Sequence, residues 1–423
     1  MDRIALIGIS CEFSNDIHSP HSLWNSPLDS VPLFGTELLD EFDRDFFGIS
    51  DQEAQIIDPS DRILLEKFVH LLEDSNYTIN QINGTKTAVF IEQTSDKPPL
   101  VSNLHNCSAS IRLAYHFNLR GPNLTLDTTH PSSLVSLSMA VQALRTGEAD
   151  YAVIGGTNVL QTNEQLLCDK QLQPVPSEGR NGFGIQYRAI GLSEGVALIL
   201  LKRLSDAIRD CDQIYCVIRD VVFHCNNDIV IKDFSMASHS AQLQLLNEIY
   251  ITRNQIDLSE IFYIEELDGG TIDNELIKNN AIGEFFHHDE ASAPLLLGTI
   301  KSNIGDIGSA AGTAALINVA LSMKNRIILP QRNYGHDNTI TKSEKYNVQI
   351  AHQRTMFPQN RLALIGINGK NSHAIIEEWG NFSQSHSEKE ISSKCLEANN
   401  SSTLEQQQYY LAVISGEFPS VFF

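Results

Sequence analysis

Short apolar runs rich in Val, Ile and Leu recur along the chain: RIALIGIS from residue 3, KTAVFIEQ from 86, DYAVIGGT from 150, VALILLKR from 196, YCVIRDVVF from 215, IFYIEEL from 261, PLLLGTI from 294 and RLALIGING from 361. Most lack a clean alternation of apolar and polar positions, which predicts strands buried on both faces. Segments with helical spacing lie between many of them. DPSDRILLEKFVHLLEDSNY predicts a helix with Asp58 as N-cap and Pro59 in the first turn. PSSLVSLSMAVQALRTG predicts a second, stopped at Gly147. SAAGTAALINVALSMKN predicts a third, small enough in its side chains to pack closely against its neighbours. Strands alternating with helices predict a layered α/β fold. RIALIGIS and RLALIGIN are nearly the same string, a faint trace of duplication that eight apolar residues could also give by chance. From Gly380 the chain turns polar and serine-rich and reads as a linker, followed by one strand-like run, YYLAVISGE.

Composition narrows the class. The chain has 423 residues, 42% hydrophobic and 19% charged, enough for a large core. A formal net charge of -22 argues against nucleic-acid and anionic-membrane partners. It leaves room for a phosphate-bearing carrier arm, which needs only a local basic patch. The seven cysteines (Cys11, Cys107, Cys168, Cys211, Cys216, Cys225, Cys395) are scattered without paired metal-ligand spacing and read as reduced thiols, mostly core filler. The N-terminus enters a strand with no leader pattern, and no apolar run approaches bilayer length. The expected location is cytoplasmic. His287 and His288 stand together in FFHHDEAS, which reads as a solvated turn and not as a metal site.

Several strings in collinear order carry a resemblance: FDRDFFGIS followed by DPSDRILLE; GPNLTLDT followed by SSLVSLSMAVQALRTGEADYAVIGGTNVL; GLSEGVALILLKRLSDAIRDCDQIYCVIR; GTIKSNIGDIGSAAGTAALINVAL; and GKNSHAIIEEW. Over residues 2–378 the chain resembles the ketosynthase (beta-ketoacyl synthase) domains of modular polyketide synthases, in the thiolase superfamily. The resemblance implies a thiolase fold, a five-layered α-β-α-β-α sandwich of two similar halves that normally dimerises. The halves are expected at 1–240 and 241–379, with 380–423 a polar linker and truncated tail.

The family's chemistry uses a cysteine at the N-terminus of a buried helix, where the helix dipole favours thiolate. Two histidines then donate hydrogen bonds to the thioester oxygen as it becomes enolate-like. Matched residue by residue, the cysteine position in LDTTHPSSLV is His130, the first histidine position in YIEELDGGT is Leu267, and the second in KSNIGDIG is Asp306. Loss of one such donor costs about 2.7–4 kcal/mol of transition-state stabilisation. Both are gone together with the nucleophile, so condensation is not expected. His130 reads as a plug that caps the elbow helix and pairs with Asp306; the alternative is an acyl nucleophile. Lys301 and Asn303 match the family's second-half motif, and Lys301 is expected to neutralise Asp306. Glu194 keeps the family's acidic position, read as a buried structural partner. In GINGKNSH the resemblance places the substrate-tunnel gate at Ile367 and Asn368, with Ile367 where the family has phenylalanine. Asn368 and Lys370 also depart from the family there, whereas Asn371 and His373 match, the histidine as a structural residue. Gly184 and Arg188 stand where two aspartates are usual, and TIDNELIK lacks the family's acidic turn.

Three functions follow as expectations. The first is a non-condensing partner or carrier-binding subunit, comparable to chain-length factors, that pairs with an active ketosynthase or with itself and accepts an acyl carrier protein. The second is an acyl- or malonyl-carrier transferase or decarboxylase centred on His130. The third is a remnant of a larger polyketide synthase. No cofactor is expected beyond the phosphopantetheine arm of a carrier protein as a bound ligand.

Overall fold

The computed structural model describes residues 2–14, 17–26, 42–55, 57–93, 109–127, 133–159, 193–224, 238–267, 272–286, 293–331, 346–358, 363–369 and 371–380. Eleven strands form one hydrogen-bonded sheet: β1 (Ile4–Phe13), β2 (Thr87–Gln93), β3 (Asn123–Leu126), β4 (Tyr151–Asn158), β5 (Gly195–Arg203), β6 (Cys216–Phe223), β7 (Ile261–Glu266), β8 (Leu295–Gly298), β9 (Val348–Ile350), β10 (Leu364–Asn368) and β11 (Ser372–Glu378). The order across the sheet is β9-β8-β7-β10-β11-β6-β1-β5-β4-β2-β3. The principal helices are α1 (Pro59–Asp74), α2 (Ala109–His116), α3 (Ser133–Thr146), α4 (His239–Leu246), α5 (Ile272–Phe286) and α6 (Ala311–Asn325).

The sheet is two halves joined by a short antiparallel seam, Ile4–Leu6 of β1 against Cys216–Ile218 of β6. In the first half β1, β5 and β4 are antiparallel neighbours, and β4, β2 and β3 run parallel. In the second, β6, β11 and β10 are antiparallel, and β10, β7 and β8 run parallel, with β9 added outside. The two halves therefore repeat one pairing pattern. This corrects the sequence trace of duplication: RIALIGIS is β1 and RLALIGIN covers β10, which occupy different places in the pattern. The strands that do correspond in position, β2 (TAVFIEQ) and β7 (IFYIEE), both close on glutamate-bearing ends.

Strand parity sorts the side chains into three cores. Phe90, Ile154, Ile199, Tyr263, Ile365 and Ile376 face an inner core shared with α3 and α6, which touch strands of both halves. Val89, Val153 and Leu198 face α1 and α2 on one outside, while Ile264, Leu297 and Ile375 face α4 and α5 on the other. Helix, sheet, helix pair, sheet, helix is the expected five-layered sandwich. Both faces of the strands are covered, which explains why their sequences do not alternate.

The local signals hold. Asp58 caps α1 by accepting from the Ser60 amide at 2.9 Å, with Pro59 in the first turn. Gly147 ends α3 at φ +76°. Every residue of α6 from Ala311 to Met323 is buried, and its many alanines let both halves of the sheet close on it. Cys11 and Cys216 are buried free thiols whose ionisation burial pushes up, as core filler requires, whereas Cys211 departs from the expectation by standing in a disulfide. No described helix is long and apolar enough to cross a membrane, and no metal-binding group of His, Cys, Asp and Glu occurs among the described residues.

Candidate active site

Of the three positions that the resemblance singles out, Leu267 and Asp306 lie among the described residues. Leu267 directly follows β7, which pairs with β10 so that Glu266 lies beside Asn368. Its amide donates to the Asn368 carbonyl at 3.0 Å, and its side chain, 1% exposed, joins the inner core. A methyl-terminated side chain offers nothing to a carbonyl oxygen.

Asp306 lies in a turn between the short helix Lys301–Ile304 and α6, made by Gly305 at φ +87° and Gly308 at φ +51°. The turn is pressed on the end of β4: a Cβ at Gly156 would fall 2.3 Å from the Ser309 carbonyl oxygen, and Ser309 Oγ donates to the Thr157 carbonyl at 2.7 Å. The Asp306 carbonyl accepts from the Ser193 amide at 2.9 Å. Its carboxylate accepts from the Gly308 amide at 3.1 Å, and Lys301 Nζ lies 3.0 Å from the same oxygen. The Lys301 side chain is 4% exposed and that of Asp306 26%, so the pair joins a buried ammonium to a carboxylate at the margin of solvent.

Lys301 is held from below. Glu265 accepts from the Ile300 amide at 2.6 Å, the Tyr263 hydroxyl at 2.5 Å and Asn318 Nδ2 at 3.0 Å; burial pushes its pKa up to about 7 against these three bonds. Gln331 Oε1 accepts from the Thr299 amide, and the single hydroxyl proton of Ser302 has three acceptors in reach, Gln331 Oε1, Asn303 Oδ1 and the Thr299 carbonyl. Glu194 is buried, its carbonyl accepting from the Ser14 amide at 3.4 Å. Ile367 and Asn368 are fully buried, Ile367 in the inner core.

His130, Gly184, Arg188, His287, His288 and Lys370 lie outside the described residues, and so does the proposed His130–Asp306 pair. The TIDNELIK segment enters α5, where Lys278 is its first buried side chain described.

Sequence reading passed over one cluster beside Leu267. Lys278 Nζ lies 3.2 Å from Glu266 Oε2, both side chains 2% exposed. Glu266 Oε1 accepts from Asn368 Nδ2 at 3.1 Å, and Asn368 Oδ1 faces His373 Nδ1 at 3.0 Å. His373 Nε2 faces the Tyr250 hydroxyl at 2.9 Å. The carboxylate can only accept, which fixes the amide orientation; the amide oxygen can only accept, which places the imidazole proton on Nδ1. Nε2 then accepts from Tyr250. Burial lowers the His373 pKa to about 3, consistent with that neutral ring. The available signal was the adjacent pair Glu265–Glu266 in an otherwise apolar strand, which demands a buried partner on each face.

Two outcomes follow. Asp306→Ala leaves the Lys301 ammonium buried without its carboxylate, and is expected to cost about 1–3 kcal/mol in urea unfolding. The paired change Lys301→Met with Asp306→Leu is expected to cost less than Asp306→Ala alone. For His373, the unfolded chain takes up a proton below about pH 6.5 and the folded chain does not until about pH 3, so stability falls as pH drops through that window. The stability advantage of wild type over His373→Gln is expected to shrink by about 1.4 kcal/mol per pH unit between pH 6 and 4. Glu265, which titrates in the opposite sense, is common to both proteins and drops out of the difference.

Comparison with known proteins places this geometry in a family. The descriptions "Beta-ketoacyl synthase, N-terminal domain" and "Beta-ketoacyl synthase, C-terminal domain" match residues 34–207 and 215–335. Probable polyketide synthase 17 of Dictyostelium discoideum is 32% identical over 89% of this chain and 16% of its own length. Highly reducing polyketide synthase 40 of Fusarium pseudograminearum is likewise 32% identical over 89% of this chain and 16% of its own. The chain thus spans about a sixth of the length of these curated relatives. Among solved structures, the ketosynthase from module 6 of the bacillaene synthase of Bacillus subtilis superposes with a TM-score of 0.79 at 25% identity, covering 90% of this chain and 72% of that one. The oxazolomycin ketosynthase domain OzmH KS8 of Streptomyces albus gives 0.72 at 26% identity, covering 90% and 96%. Two adjoining domain matches, collinear relatives and a shared fold agree: the chain belongs to the beta-ketoacyl synthase family, as a ketosynthase domain of the polyketide synthase kind.

Proposed function

We propose that this ketosynthase domain does not condense, and that it serves as a partner or carrier-binding subunit. The observation that carries the reading is the state of the two donor positions. Leu267 is an apolar side chain packed in the core, and Asp306 is an acceptor already engaged by Lys301 and the Gly308 amide. Neither can donate to an oxyanion, and a carboxylate near a developing enolate opposes it.

The same fact weighs against a decarboxylase, which needs enolate stabilisation even without a nucleophile. A remnant losing its structure is disfavoured by the orderly pairing of buried polar groups around Leu267. The expected partners are an acyl carrier protein, reached through its phosphopantetheine arm, and a second ketosynthase chain, active or identical, in the cytoplasm. Support for pairing comes from β3, the last strand of the sheet among the described residues. Leu124 on it is 44% exposed, with Ile111 at 48% and Tyr115 at 86% on the adjacent α2. Exposed apolar side chains at a sheet edge are a surface that another chain can cover.

Incubation with acyl-loaded carrier protein, followed by native and intact-protein mass spectrometry, tests the reading. The expected result is a non-covalent complex with no acyl mass gained by this chain. Acyl loading that disappears in His130→Ala would establish the transferase alternative instead.

A further inference from the structure

Tyr263 and Glu265 share one face of β7, and Glu265 meets Asn318 of α6 in the inner layer. Glu265 is fully buried. Its three hydrogen-bond partners are all neutral: the Ile300 amide on Oε1, and the Tyr263 hydroxyl and Asn318 Nδ2 on Oε2. The cations of the surrounding elements are engaged elsewhere. Lys301 Nζ lies 3.0 Å from Asp306 Oδ1, and Lys278 Nζ lies 3.2 Å from Glu266 Oε2. Lys324, the one ionisable residue of α6, lies over the Tyr215 ring at 4.5 Å. β8 and β10 carry no ionisable side chain. Glu266, next on β7, adds a like charge that opposes ionisation of Glu265. An ionised carboxylate in this place bears the full cost of leaving water, which three neutral donors offset only in part.

We propose that Glu265 is a resident proton site, un-ionised in mildly acidic and near-neutral solution, and that Asn318 keeps it so by facing it with an amide where a cation would hold it ionised. The acid form has acceptors within the same set of partners. The Tyr263 hydroxyl carries lone pairs of its own, and Asn318 Oδ1 is buried with no partner among the described residues. Burial is the largest cause that raises the Glu265 pKa, to about 7 against the three hydrogen bonds that lower it. The unfolded chain gives up this proton near about pH 4.3, whereas the folded chain keeps it to about 7. Stability from this group is therefore fully present below the lower value and is lost as pH rises through the window, opposite in sense to His373. Ionisation at higher pH adds a buried negative charge to the group that holds the Ile300 amide, one residue from Lys301. The site is thus a pH-sensitive support for the Lys301–Asp306 pair, and it does not depend on whether the domain condenses.

Infrared spectroscopy of the full chain, read on the carbonyl band of un-ionised carboxyl groups, tests the inference. At about pH 6, where exposed carboxyl groups are ionised, wild type is expected to show one such band that is missing from Glu265→Gln. The band is expected to titrate away with a midpoint near about 7. Asn318→Lys, which brings an ammonium to the same side, is expected to abolish it at that pH. Urea unfolding gives a second reading that needs only Glu265→Gln, whose amide copies the shape of the acid. The unfolding constant of wild type relative to this variant is expected to rise about tenfold per pH unit between about pH 5 and 7. A wild-type spectrum without the band, a band that survives in Glu265→Gln, or a pH-independent ratio overturns the proton site. A band unchanged in folded Asn318→Lys overturns the role given to Asn318.

Discussion

The central strands of this protein are covered on both faces, so every polar side chain on them must find its partner inside the protein. That constraint organises the whole site. Glu265 and Glu266 are neighbours on β7 and satisfy it in different directions. Glu265 holds the Thr299–Lys301 stretch in place with Tyr263 and Asn318, while Glu266 reaches Lys278 and Asn368. Glu266 directly precedes Leu267, and Glu265 supports the stretch that carries Lys301, the partner of Asp306.

The two substitutions consequently differ in kind. Leu267 has been absorbed into the inner core, beside a turn anchored by a buried ion pair and a neutral histidine. Asp306 has instead been neutralised: its turn lies on β4, and a nearly buried lysine offsets its charge. Replacing either with a histidine would therefore meet a different obstacle, lack of space at one position and an orphaned lysine at the other. Asn318 Oδ1 beside Glu265 is buried with no partner among the described residues, but the groups from Lys278 to Tyr250 and the Lys301–Asp306 pair have partners. That favours a domain kept for shape and association over one kept for turnover.

Much of this was legible in the sequence. Apolar runs without alternation gave doubly covered strands; Asp58, Pro59 and Gly147 marked helix ends through local chemistry; and the matched strings located Leu267, Asp306 and Lys301. RIALIGIS and RLALIGIN are nearly the same string yet hold different places in the repeated pattern, because position in the sheet is set by pairing direction, which one strand's sequence does not encode. The polar cluster was missed for a related reason. Lys278 and Tyr250 flank Glu266 closely in sequence, but Asn368 and His373 come from far downstream, and only the topology joins the two sets. Asn368 was noted as a departure from the family, but its meaning lies in the carboxylate and imidazole on either side of it.

The central claim is that the carbonyl-binding wall lacks the donors that carbon–carbon bond formation needs. Its most direct measurement is a condensation assay with purified protein, an acyl thioester donor and malonyl-loaded carrier protein, with products identified by mass spectrometry. The account predicts no β-ketoacyl product above a protein-free control. Product that accumulates with this chain, and is lost on changing one of its own residues, would contradict it.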